Sequence, residues 1–102
     1  MPNKIHIPSY FRLNGKKIIV EFDDEYCDEN KLFGEADFTE KKIILTKRDK
    51  GKSLNKRHID QTFYHELVHM ILDAANKHQL KYNEDFVDAV GLLLYEIGRA
   101  HV

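Results

Sequence analysis

Two histidines four residues apart, with a glutamate directly after the first, sit inside a helical apolar repeat: His65-Glu66-Leu67-Val68-His69. This segment constrains the chain more than any other. Ile59, Phe63, Leu67, Met70, Ile71, Ala74 and Ala75 recur at helical spacing, so the pattern predicts a helix from residue 53 or 55 to residue 77. On a helix, positions i and i+4 lie one turn apart on the same face. Two imidazoles so placed can both reach one zinc ion, at about 2.0–2.1 Å. Glu66 then projects beside the metal, where it can take a proton from a zinc-bound water.

A catalytic zinc needs a third protein ligand and an open position. The stretch Asn83-Glu84-Asp85-Phe86-Val87-Asp88 supplies carboxylates at the start of a second helix, expected over residues 83–98. Glu84 and Asp88 are again i and i+4. One can ligate the metal while the other accepts the N–H of a ligand histidine and fixes its tautomer. Glu84 is the preferred ligand and Asp88 the support for His65 or His69. The exchanged assignment, with Asp88 as ligand, stays open. Acids also favour a helix N-terminus without any metal, which alone would account for Glu84.

Before the zinc helix the pattern changes to short strands. Asn14-Gly15 suits a two-residue hairpin turn that requires positive φ at both positions. Strands are expected at residues 10–13 and 17–22 around it. A weaker strand, with Gly34 as a possible bulge, is expected at 32–38, and a confident one at 42–46. The acidic stretch 23–30 and the basic stretch 47–52 read as loops, as does 79–82. In the second helix Phe86, Val90, Leu93, Leu94 and Ile97 are expected to bury one face, and Leu92-Leu93-Leu94 to belong to the core. The expected fold is α+β: a small, mostly antiparallel sheet of three to four strands, then two packed helices, in one domain spanning residues 1–102.

Composition narrows the function classes. Sixteen basic and seventeen acidic residues give a net charge of -1, so no long-range field favours nucleic acid or an anionic membrane. No apolar run approaches the roughly 20 residues that span a bilayer, and residues 1–13 lack the apolar core of a signal peptide. A lone cysteine, Cys27, allows no internal disulfide. These features suit a cytoplasmic protein.

The motif His65-Glu66-x-x-His69, followed by Glu84-x-x-x-Asp88 on the next helix, resembles a gluzincin. The local texts Tyr64-His65-Glu66-Leu67-Val68-His69-Met70-Ile71-Leu72 and Glu84-Asp85-Phe86-Val87-Asp88 are similar to those of small ImmA/IrrE-type metallopeptidases, especially phage-type members. The resemblance covers about residues 17–95, with a shorter interval from His69 to Glu84 than in larger gluzincins. It implies a minimal zincin-like fold and zinc-dependent hydrolysis of a peptide bond in a protein or peptide substrate. Zinc would be held by His65, His69 and Glu84, with Glu66 as the catalytic base.

An oxyanion partner should assist the metal, and His78, Tyr82 and Tyr64 are candidates by proximity alone. The strand at 42–46 is expected to border the cleft, where a substrate could add as an extra strand. His58 lies two turns before His65, about 10 Å away, too far to join the same zinc. Thr62 lies between them on that face, where it can line the site. Cys27 is expected to be inert, because neighbouring acids raise a thiol pKa. The competing readings are a zincin-fold binding or regulatory module with a structural or vestigial zinc site, and a motif that serves only the core. Retention of Glu66, which a structural zinc does not need, favours the enzyme.

Overall fold

The computed structural model describes residues 5–100. The ends of the expected domain, residues 1–4 and 101–102 with His101, lie outside them. The fold is α+β. Strands β1 (Tyr10–Leu13), β2 (Lys16–Phe22), β3 (Gly34–Asp37) and β4 (Lys42–Leu45) form one mixed sheet in the order β1-β2-β4-β3. A helix α1 (Asp24–Asn30) joins β2 to β3, and a two-strand ribbon of β5 (Arg48–Asp49) and β6 (Lys52–Ser53) follows β4. Helices α2 (Lys56–Ala74) and α3 (Glu84–Ala100) complete the chain, joined by a 3-10 turn at Leu80–Tyr82.

The first hairpin closes at Asn14 and Gly15, with φ of 51° and 77°. This is the left-handed pair that a primed turn demands. The pairings β1 with β2 and β3 with β4 are antiparallel, whereas β2 and β4 run parallel, with Val20 opposite Ile43. That parallel pair puts β4 inside the sheet. The expectation that residues 42–46 border the cleft is therefore corrected: the edge strand is β3. Ile43, Ile44 and Leu45 are all buried, as suits a strand covered on both faces.

The acidic stretch at 23–30 is corrected from loop to helix. Asp23 caps it by accepting the Tyr26 N–H, and Lys31 ends it in the left-handed conformation at φ 56°. Only Cys27 of this helix is buried, so no apolar repeat announces it. The basic stretch likewise holds the β5–β6 ribbon, which turns at Lys50 and Gly51 with positive φ. Gly34 is no bulge, since it pairs regularly with Leu45. A Cβ there would sit 2.7 Å from Thr62 Cγ2, so glycine lets the edge strand lie close against α2.

Asn55 caps α2 through the His58 N–H. The helix stops at Ala74 rather than residue 77. Asn76 turns left-handed at φ 58°, its N–H reaches the Asp73 carbonyl, and the Lys77 N–H reaches the Leu72 carbonyl. These two bonds form a Schellman end with asparagine in the place of glycine. Phe63 and Met70 turn toward the sheet and join Ile18, Val20, Ile43 and Leu45 in the core.

The second helix packs differently from the sequence reading. Val87, Gly91 and Tyr95 are its buried positions, whereas Phe86, Leu92, Leu93 and Ile97 are exposed. Of the expected apolar face, Phe86, Leu93 and Ile97 look outward and Val90 and Leu94 are half-buried, and Leu92 and Leu93 are not core. A tyrosine and a glycine on the other face make the contact with α2.

Candidate metal centre

Three side chains from two helices converge. Helix α2 carries His65 and His69 one turn apart, with ring centres 5.1 Å from each other. Asn83 ends the 3-10 turn and caps α3 through the Phe86 N–H, which makes Glu84 the first residue of that helix. Its carboxylate spans both rings: Oε2 lies 3.1 Å from His65 Nε2, and Oε1 lies 3.2 Å from His69 Nε2. Possible ligand atoms of the three residues all lie within 4.8 Å of one another.

The other ring nitrogens are engaged too. His69 Nδ1 sits 2.6 Å from the Lys81 carbonyl oxygen. A carbonyl only accepts, so Nδ1 carries a hydrogen, and Nε2 is the atom turned toward the Glu84 carboxylate. His65 Nδ1 faces Asp88 Oδ1 at 3.6 Å. Glu84 thus occupies the position of a third ligand, and Asp88 that of a partner to a ligand histidine. Two imidazoles and a carboxylate around one point, each ring with an acceptor facing its Nδ1, fit a zinc ion.

Glu66 points to the sheet side of this group. It is 8% exposed. Burial pushes its carboxyl up to about 8, the charges of Glu84 and Glu35 add to the rise, and the Ala36 backbone N–H opposes it. Ala36 belongs to the edge strand, so β3 meets the helix at the residue expected to move protons.

Two cavities of about 420 and 330 Å³ meet at Gly34, His65 and Glu66. The larger runs past Thr62, His58 and Phe33, and the smaller past Phe38 and Tyr82. The centre therefore lies midway along a groove bordered by β3. Of the three oxyanion candidates, Tyr82 alone lines the groove. His78 lines a separate cavity beside Lys16 and Lys41, and Tyr64 packs on Phe63 and Tyr95. His58 stacks edge-on against Phe33 at 4.6 Å, at the groove's far end.

Sequence reasoning missed two contributors. The Lys81 carbonyl acts through its backbone, which leaves no mark on residue type. Gly91 had a readable mark, a glycine inside a helix, which often signals a close approach. A Cβ there would meet His65 Cα at 3.1 Å and His65 N at 3.2 Å.

No protein-family model matches the chain, and neither a curated protein nor a solved structure matches it. Among the described residues no helix is long and apolar enough to cross a membrane.

Proposed function

We propose that the protein is a zinc metallopeptidase of the HExxH type, similar to the small ImmA/IrrE-type enzymes, that cleaves an extended segment of a protein. The observation that carries this reading is the convergence of His65 Nε2 and His69 Nε2 on the Glu84 carboxylate, with Asp88 and the Lys81 carbonyl behind the rings.

His65, His69 and Glu84 would hold the zinc. When bound, it would supply Lewis-acid polarisation of the scissile carbonyl and a water acidified toward neutral pH. The chain's own groups do the rest. Glu66, desolvated beside the centre, takes the water proton and returns it to the leaving amine. Asp88 and the Lys81 carbonyl face the two Nδ1 atoms and orient the rings, so that each Nε2 would meet the metal. The outer edge of β3, apart from the Ala36 N–H that Glu66 takes, aligns an extended peptide by backbone hydrogen bonds, which makes the cleaved segment strand-like. Tyr82, 67% exposed at the groove, has a hydroxyl suited to the developing oxyanion.

The test is zinc per chain in protein purified without a polyhistidine tag, beside Glu84→Ala and Glu66→Gln. Wild type should hold close to one zinc, Glu84→Ala much less, and Glu66→Gln as much as wild type. Cleavage of a quenched-fluorescent peptide library should then be lost in Glu66→Gln. Zinc retained by all three proteins with equal cleavage by wild type and Glu66→Gln would refute the peptidase reading.

A further inference from the structure

One turn beyond His69, Asp73 gathers two lysines from different elements. Lys81 Nζ lies 2.8 Å from Asp73 Oδ1, and Lys41 Nζ lies 3.2 Å from Oδ2. Lys81 is 7% exposed, and its ammonium also sits 4.4 Å from the centre of the Phe38 ring. A buried ammonium keeps its charge only where partners replace its water, so Lys81 is confined to one place. The same residue presents its carbonyl to His69 Nδ1 at 2.6 Å. Side chain and backbone of Lys81 therefore connect Asp73 to a proposed zinc ligand.

We propose that the Asp73–Lys81 ion pair is a positioning device for the metal centre: it pins the 3-10 turn so that the Lys81 carbonyl holds the His69 ring by its Nδ1–H, with Nε2 directed at Glu84. Asp73 and His69 are four residues apart on α2, so the ion pair and the ligand share a face. The turn has three residues and no side-chain cap; local backbone bonds shape it, and the ion pair fixes it against α2. Lys41, just before β4, ties the same carboxylate to the sheet. The use of the device rests on the zinc reading above, but its geometry does not.

Metal-free protein supplies the decisive readout. Histidine side-chain NMR should show the His69 Nδ1–H of wild type held against solvent exchange by the Lys81 carbonyl. Lys81→Met keeps the carbonyl and removes the ammonium. It should speed the exchange of that hydrogen about tenfold, as should Asp73→Asn. Lys81→Arg should restore the wild-type signal, and Lys41→Met, which spares the Asp73–Lys81 bond, should leave it. In zinc competition with a chromophoric chelator, Lys81→Met and Asp73→Asn should each bind about tenfold more weakly. The double variant should be no weaker, because both act through one contact. A folded Lys81→Met with wild-type exchange of the His69 Nδ1–H and unchanged zinc affinity overturns the proposal. Wild-type protein that binds no zinc, yet holds the His69 Nδ1–H in a way that depends on Lys81, would defeat the metallopeptidase reading and leave the device standing.

Discussion

At the scale of single residues, the groups that carry chemistry are legible and the groups that place them are not. His65, Glu66, His69, Glu84 and Asp88 stand out by type and spacing, because a helix maps four residues to one turn. The positioning residues work by what they lack or through their backbone. Gly91 is the clearest case. Glycine inside a helix costs about 1 kcal/mol relative to alanine, so an alanine at this position should gain stability on propensity alone. Its Cβ, however, would press on the Cα and N of His65, backbone atoms that cannot rotate away. Overpacking of this kind costs about 1–3 kcal/mol and should prevail. Glu84 lies two turns before Gly91 on the same face, so forcing the helices apart also carries Glu84 away from the histidines. Gly91→Ala should therefore lower the thermal midpoint and weaken zinc binding about tenfold, as calorimetry and chelator competition would show. Gly98→Ala is the control. Its new methyl group meets the hydroxyl end of Tyr64, a side chain that can move, so zinc affinity should stay near wild type.

At the scale of elements, the sequence reading succeeds where local chemistry decides and fails where neighbours decide. The Asn14-Gly15 turn is local and forms as expected, and the caps at Asn55 and Asn83 are local too. Whether a strand is central or at an edge depends on partners distant in sequence. The three consecutive buried residues Ile43, Ile44 and Leu45 held the clue, since a strand covered on both faces has no polar alternation. Helix α1 is too short to show a period, and long-range contacts hold it in place. Asp24 accepts the Lys47 N–H at 2.8 Å and the Thr46 hydroxyl at 3.1 Å, clamping the start of the helix to the end of β4. The Lys47 N–H holds the Asp24 carboxyl below the usual range, burial opposes it, and the Thr46 hydroxyl and Arg48 charge lower it further. A carboxyl depressed in the folded state stabilises fully above its unfolded pKa of about 4, and this contribution fades as pH falls through the folded value. Asp24→Ala should therefore cost about 1 kcal/mol in urea unfolding at pH 7. The gap from wild type should close near pH 2. A gap that persists unchanged at pH 2 would mean that the clamp does not depend on charge.

At the scale of the whole molecule, the centre is a joint across the packed pair of helices α2 and α3. Its proposed ligands come from both, and the helix-to-helix contact rests on Val87, Gly91 and Tyr95, with Leu93 and Ile97 turned outward. An ion bound across the two helices stabilises the folded chain by its affinity, about 2.7 kcal/mol when free metal stands at a hundred times Kd. In a chain of about 100 residues each kcal/mol moves the midpoint by roughly 4–8 °C, so saturating zinc should raise Tm by roughly 10–20 °C. Glu84→Ala severs the bridge at the α3 side and should leave most of that rise absent. Glu66→Gln should keep it, because Glu66 lies beside the ligands and not among them. Scanning calorimetry of the three proteins and of Asp88→Ala, with and without zinc, separates the possibilities. An equal rise in wild type and Glu84→Ala that is lost in Asp88→Ala would pass the third position to Asp88; a rise kept in both variants would place the ion on α2 alone, and the joint would then be held by Gly91, Val87 and Tyr95 without help from metal.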